Sequence, residues 1–277
     1  MPTLPPGVPP PPPQGPHRIR NLAESFGTDP ARYDRARPRY PDAVVAAVAA
    51  RIPGPEVVDV GIGTGIAARQ FRAAGCTVLG VEADPRMAEW TRRRGIAVEV
   101  AAFEAWDPAG RTFDAVVSGQ TWHWVDPVAG AAKAAEALRP GGRLAVFWNA
   151  DRPPQDVARA FAEVYGRLLP GSPAHRRWAS AGTVDGYAML CAKAAGGIRA
   201  TGTYGDPEQW SFPWERTYSR EEWLDQLPTT GGHSGLSSAD LAKLLDGIGE
   251  VVDAAGGSFT MPYDTLVVTA ATAPGSP

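Results

Sequence analysis

The stretch Val57-Val58-Asp59-Val60-Gly61-Ile62-Gly63-Thr64-Gly65 decides the fold. Apolar residues around one acid read as a strand buried on both faces, as in a parallel sheet. The three alternate glycines that follow make a turn on which no side chain blocks a ligand. A second apolar run, Val78-Leu79-Gly80-Val81, ends in Glu82, 17 residues beyond Gly65. In a doubly wound α/β sheet that is where the next strand ends, and where a carboxylate can accept both hydroxyls of a ribose. Together the two runs point to a ligand that carries adenosine.

Spacing narrows the ligand. A dinucleotide fingerprint reads G-x-G-x-x-G with its helix N-terminus on a pyrophosphate, but here the glycines are 61, 63 and 65 and position 66 is Ile66. Asp59, two residues before the first glycine, adds a negative charge that would repel a pyrophosphate and suits a cationic ligand. S-adenosylmethionine carries a sulfonium and an ammonium. With the acid and glycine turn at 59–65 and the acid at 82, the chain resembles the class I methyltransferases that use this cofactor, whose first motif is D-x-G-x-G-x-G.

More of the pattern follows in order. Gly95–Val100 reads as a third strand leading into Ala101-Ala102-Phe103-Glu104, and Phe113–Gln120 as a fourth ending in Thr121-Trp122-His123-Trp124. Leu138-Arg139-Pro140-Gly141-Gly142 closes the next helix, and Arg143 to Trp148 resume a strand. Phe26-Gly27, Tyr33, Arg37-Pro38 and Tyr40-Pro41 are similar to the N-terminal lid of the small-molecule branch that includes trans-aconitate-type enzymes. The resemblance implies a Rossmann-like α/β sheet of seven strands with helices on both faces, its last strand antiparallel and ending the sheet, plus a lid and a helical substrate cover.

It also implies site roles. The glycine turn, with Gly61, Gly63, Thr64 and Gly65, would approach the methionine part of the cofactor, and Asp59 would order the turn and the ammonium. Glu82, beside Ala83, would bind the ribose diol. Met87 and Phe103 would sandwich the adenine and Glu104 would receive its amine, with Gly119 and Gln120 closing the rim. Arg37 with Tyr33 would clasp the methionine carboxylate, a contact that suits a guanidinium fork. S-adenosyl-L-homocysteine would be the product.

Composition sets limits. A chain of 277 residues, 44% hydrophobic and with net charge −3, can bury one large core or one core plus an insertion. It offers no basic field for nucleic acid, and no apolar run approaches the roughly 18 residues of a membrane span. Cys76 and Cys191 form no C-x-x-C pair, so neither a disulfide framework nor a metal site is expected, and a cytoplasmic monomer or homodimer fits. The expected organisation is a Pro-rich disordered tail over 1–17, lid helices over 18–50 and the cofactor core over 51–150. Cover and sixth strand follow over 151–235, and a last helix and strand over 236–277. Ser219-Arg220-Glu221-Glu222 is a capping box ahead of the Trp223 helix.

The acceptor is a small molecule, and methyl transfer to it is an in-line displacement that needs alignment more than acid or base. Where a proton must leave, His233 in its glycine loop, His123 at the fourth strand's carboxyl end and Glu24 in the lid are the candidates. Trp178, Trp210, Trp214 and Trp223 fall in or beside the cover, which favours an aromatic acceptor. An indole such as C3 of a tryptophan-derived cyclic dipeptide, in secondary metabolism, is the expectation. The alternatives are carboxyl O-methylation of a small acid, which needs lid and cover arginines pointing inward, a non-catalytic cofactor sensor, and a NAD-dependent oxidoreductase.

Overall fold

The computed structural model describes residues 25–181, 186–231, 233 and 236–273. Its seven strands are β1 (Glu56–Val60), β2 (Thr77–Glu82), β3 (Ala97–Val100), β4 (Phe113–Gly119), β5 (Leu138–Asp151), β6 (Glu208–Ser219) and β7 (Ser258–Ala271). They form one sheet in the order β3-β2-β1-β4-β5-β7-β6. The first five run parallel, and β7 is antiparallel to both β5 and β6. The Rossmann-like expectation is met, with one change of position. β7 does not end the sheet; β6 returns from the cover, pairs along the free edge of β7 and becomes the edge itself. Pro213 is tolerated in β6 because an edge strand has a side that needs no partner.

Before β1 come a 3-10 turn (Ser25–Thr28), α1 (Pro30–Ala36) and α2 (Asp42–Ala49). Within the sheet lie α3 (Ile66–Ala73), α4 (Pro85–Arg92) and α5 (Pro127–Ala137), and then, between β5 and β6, α6 (Gln155–Leu168), α7 (Pro173–Ala179) and α8 (Gly186–Thr201). α9 (Arg220–Gln226) and α10 (Ser238–Ala254) stand between β6 and β7. An acid or serine followed by proline starts several of these. Asp29, Asp84, Asp126 and Ser172 each accept a backbone N–H of the first turn, and the proline after each needs no donor there. Ser219 and Glu222 form the reciprocal capping box read from the sequence.

Alternation along the strands sorts the core into two faces. Val58, Val60, Val116 and Trp148 pack with the alanines of α5 and α8, while Val57, Ala115, Val117 and Phe147 pack with α2 and α3. A third core, around Phe161, Trp178, Trp223 and Phe259, belongs to the cover. The Pro-Gly-Gly segment departs from the sequence reading. α5 already ends at Ala137, and residues 139–142 bulge out inside a continuous β5, since Leu138 pairs with Phe113 but Arg143 with Ala115.

Candidate active site

β1 and β4 deliver the glycine turn and the rim to the sheet's carboxyl end, where open α/β sheets bind ligands. Gly61, Gly63 and Gly65 have φ of 64°, 55° and 84°, left-handed values that suit glycine. The turn is held from both sides. The N–H groups of Gly61 and Ile62 donate to the Val81 carbonyl at 2.8 and 3.3 Å, and the Thr91 hydroxyl donates to the Gly63 carbonyl at 2.8 Å. One Glu82 carboxylate oxygen accepts the Gly63 N–H at 2.8 Å, the other the Asp84 N–H at 2.9 Å. The acid at the end of β2 therefore fastens the turn.

Asp59 is 2% exposed and lines the cleft at the glycine turn. Burial and the nearby Glu82 charge push its carboxyl up to about 8, and burial also raises Glu82. Two acids beside one cleft, both disfavoured as anions, suit a cation arriving between them. The folded value of Asp59 lies above its ordinary one, so its contribution to stability is full below about pH 4 and is lost as pH rises through about 8. The melting temperature of the cofactor-free protein is expected to fall more steeply between about pH 5 and about pH 8 than that of Asp59→Asn, and the two slopes to converge above that. Parallel curves would show that another group is responsible.

Tyr33, Arg37, Gly61, Gly63, Thr64, Gly119 and Gln120 line the same cleft with Asp59. Arg37 lies 5.3 Å from the Tyr33 ring centroid. Gln120 has φ of 57°, a left-handed value unusual outside glycine, while its N–H donates to the Phe147 carbonyl at 2.8 Å. Tyr40, Thr121 and Asn149 also line it, and none was singled out as a site residue. Asn149 had a signal, an amide ending an apolar run. Its side chain accepts the Thr265 hydroxyl at 2.7 Å and donates to the Arg39 carbonyl at 3.2 Å, tying the lid to β5 and β7.

Six named residues lie outside the cleft lining. Gly65 caps α3, and Ala83 is exposed. Glu82 reaches the site through the turn, and Met87 is buried on the inner face of α4. Phe103 is 3% exposed, its ring stacked 5.9 Å from Trp106 and tilted 6.1 Å from Trp122 inside the core. The Glu104 carboxylate accepts the Asp126 N–H at 2.9 Å.

The proton-transfer candidates are placed differently from one another. Glu24 lies outside the described residues. His233 is 5% exposed, and both ring nitrogens are engaged: Nδ1 with the Thr230 carbonyl at 3.1 Å and Nε2 with the Tyr165 hydroxyl at 2.7 Å. A carbonyl only accepts, so Nδ1 carries the proton and Nε2 accepts from Tyr165. The loop histidine thus has a packing role that its sequence context hid, pinning its loop to α6. His123 Nδ1 accepts the Trp148 indole N–H at 3.2 Å, which leaves the proton on Nε2, and burial with nearby Arg37 pushes it down to about 4. It is a neutral imidazole at neutral pH.

At the same rim, where β5 ends, Asp151 pairs with Arg177 of α7 and accepts the Tyr187 hydroxyl of α8 at 3.1 Å. The lid is latched across to the cover: Arg32 and Arg35 of α1 grip Asp225 of α9 at 3.0 and 2.8 Å. The cover tryptophans form no wall of the cleft. Trp178 and Trp223 are each 3% exposed in the cover core, and Trp214 stacks 4.4 Å from Tyr263. Trp210 lies under Arg51 at 4.7 Å.

A doubly wound sheet with an antiparallel seventh strand, carrying an acidic, glycine-lined cleft at the β1 turn, is the architecture of class I methyltransferases. The profile of the methyltransferase domain family matches residues 33–194, and the chain belongs to that family. Its cofactor is S-adenosylmethionine, whose cationic charge suits the cleft lined by Asp59. An uncharacterized methyltransferase of Mycobacterium tuberculosis (strain H37Rv) is 33% identical over 170 residues, 57% of this chain and 65% of that one. The chain thus spans under two thirds of that relative. The ubiquinone biosynthesis O-methyltransferase of Cereibacter sphaeroides is 29% identical over 169 residues, 57% of this chain and 67% of that one. Among solved structures, a type II methyltransferase structure from Anaeromyxobacter dehalogenans superposes with a TM-score of 0.61 at 18% identity, covering 86% of this chain and 99% of that one. The [4+2]-cyclase SpnF superposes at 0.54 with 16% identity, covering 95% and 99%.

Proposed function

We propose that the protein transfers a methyl group from S-adenosylmethionine to a small polar acceptor seated between the lid helix α1 and the helical cover. The observation that carries this is Arg37, which lines the cofactor cleft and interacts electrostatically with polar groups at the carboxyl end of the sheet. It lies within electrostatic reach of His123, Tyr187 and Tyr263, while Tyr187 in turn binds Asp151. When bound, the cofactor supplies a methyl carbon already activated by its sulfonium. The chain's own part is to hold and orient: Asp59 and Glu82 meet positive charge and ribose hydroxyls, and Arg37 meets a carboxylate. The lid, latched to α9 through Asp225, shuts out water.

Neither His123 nor His233 stands as a free base at neutral pH. His233 is engaged at both nitrogens, and His123 offers an N–H donor rather than a lone pair. That favours an acceptor that needs no strong base, such as a carboxylate, or a hydroxyl oriented by the rim. The indole reading rested on tryptophans that pack in or against the cover core or, for Trp210, against the sheet core, so a polar acceptor is the better match. The test is turnover of labelled S-adenosylmethionine against indoles, cyclic dipeptides, phenols and di- or tricarboxylic acids. Methylation of an acid or a polar phenol is expected. Transfer confined to indoles would restore the aromatic reading, and failure of the cofactor and of S-adenosyl-L-homocysteine to raise the melting temperature would sink the function altogether.

A further inference from the structure

One hydroxyl in the cofactor cleft has no use inside the protein. Tyr40, between α1 and α2, lines the cleft with Asp59, Gly61, Gly119 and Gln120. It is 8% exposed, and its hydroxyl has no hydrogen-bond partner among the described residues; only its backbone is bonded. A buried phenol hydroxyl ordinarily finds a partner, and leaving one unpaired costs stability.

The surrounding contacts fix the phenol in place all the same. Gln70 of α3 clamps the Tyr40 backbone from both sides, accepting its N–H at 3.1 Å and donating to its carbonyl at 2.7 Å. The ring stands edge-on to Phe147 of β5, with centroids 4.7 Å apart. Its hydroxyl end lies against Gly119, the last residue of β4, where an added methyl would come within 2.5 Å of the Tyr40 oxygen and 2.8 Å of Phe147. Gly119 has no left-handed φ, so the approach of these two rings is what requires glycine there. Burial, Tyr33 and Asp59 hold the Tyr40 ionisation well above the usual phenol range, and it meets a ligand as a neutral hydroxyl, able to donate or accept.

Position says which part of a ligand the hydroxyl meets. In the sheet, β2 and β4 flank β1 on opposite sides. With Glu82 of β2 on the ribose and the turn after β1 on the methionine chain, the sulfur between them lies over β1, and the next strand away from the ribose is β4. Asp59 and Arg37 line the cleft as charged partners for the ammonium and the carboxylate. The Tyr40 hydroxyl is left for the group that arrives at the methyl.

We propose that the Tyr40 hydroxyl stands at the point of methyl transfer and orients the attacking atom of the acceptor. The proposal rests on the methyl-transfer reading of the cleft and adds the residue that aligns its acceptor. A hydroxyl or amine acceptor donates its hydrogen to the Tyr40 oxygen; a carboxylate accepts the Tyr40 O–H on the oxygen that does not attack. As the acceptor's lone pair bonds to the methyl, the sulfur–carbon bond breaks and its electron pair stays on sulfur, giving S-adenosyl-L-homocysteine. The acceptor's proton, where it has one to lose, passes to water after transfer, and Tyr40 neither gains nor loses one.

Sinefungin tests this without any acceptor, because it carries an amine where the cofactor has its sulfonium methyl. Its dissociation constant and that of S-adenosyl-L-homocysteine are measured by calorimetric titration of the full chain and of Tyr40→Phe. The variant is expected to bind sinefungin about fivefold or more weakly, while S-adenosyl-L-homocysteine, with nothing at that position, stays within about twofold of the unaltered protein. The cofactor-free melting temperature should not fall, since the hydroxyl removed had no partner in the protein. Methyl transfer to any acceptor that the panel yields should drop by about tenfold or more in kcat. Unchanged sinefungin affinity, an equal loss for both ligands, unchanged turnover, or a melting temperature lowered by more than about 2 °C would overturn the proposal. Failure of the unaltered protein to bind either ligand would instead overturn the methyl-transfer reading beneath it.

Discussion

Gly61→Ala is expected to weaken S-adenosylmethionine binding by two orders of magnitude or more, about 2.7 kcal/mol. Two separate faults combine at this residue. Its φ of 64° is left-handed, where a side chain costs about 1 kcal/mol or more. A methyl placed there would also stand 2.1 Å from Thr121 Cγ2, inside any permissible contact. Thr121 cannot simply rotate away, because its hydroxyl donates to the Gly61 and Gly119 carbonyls at 3.2 Å each and its neighbour Gln120 is held to β5. The turn itself must shift, and with it the Gly63 N–H that Glu82 holds. Calorimetric titration with the cofactor reads the effect. Gly63→Ala is the control, since its φ is similarly left-handed at 55° but the nearest atom to a methyl there is 3.9 Å away. If the two variants lost affinity equally, strain rather than the Thr121 contact would be the cause.

What was legible in the sequence was what depends on neighbours along the chain. Strands buried on both faces show as unbroken apolar runs, so β1, β2, β4 and the resumed part of β5 could be read directly, as could the glycine turn and the capping box at Ser219. Asp-Pro and Ser-Pro starts at 84, 126 and 172 were equally local. Pairing between distant segments leaves no such trace. Nothing local says that β6 will take the outer edge of β7, or that 139–142 will bulge within a strand rather than end a helix.

The same limit divides the site. Asp59, the glycines and Glu82 were found because one loop carries most of them. His233 looked free because its partner, Tyr165, is 68 residues away. Asp151 and Arg177 attracted no notice, each resembling an ordinary surface charge until the fold brings them together with Tyr187 at the rim. Trp178 and Trp223 suggested a ligand wall, and only their packing with Phe161 and Phe259 shows that they hold the cover together. The superposition of a [4+2]-cyclase on this sheet makes a related point, that the architecture carries more than one chemistry and the residues at the rim must decide it.

Phe161→Ala should therefore separate the two halves of the site. Phe161 is fully buried, its ring 5.0 Å from Trp178, 5.8 Å from Trp223 and 5.8 Å from Phe259. Removing it leaves a cavity among rigid rings that cannot collapse to fill it, at about 3–5 kcal/mol. For a chain of this size that lowers the melting temperature by roughly 6–20 °C, taking about 2–4 °C per kcal/mol. The damage is confined by the way the cores divide. The cover core is distinct from both sheet cores, and the glycine turn, Asp59 and Glu82 belong to the sheet side. Trp178, however, lies on α7, so any settling of that indole moves the cover against which the acceptor is proposed to sit. Cofactor affinity well below the lowered transition is expected to stay within about threefold of the unaltered protein, under 0.7 kcal/mol. Methyl transfer to the best acceptor should fall by tenfold or more, most of it in KM for the acceptor. A parallel loss of cofactor affinity would mean that the cover braces the glycine turn directly, and that lid, cover and cleft act as one rigid unit.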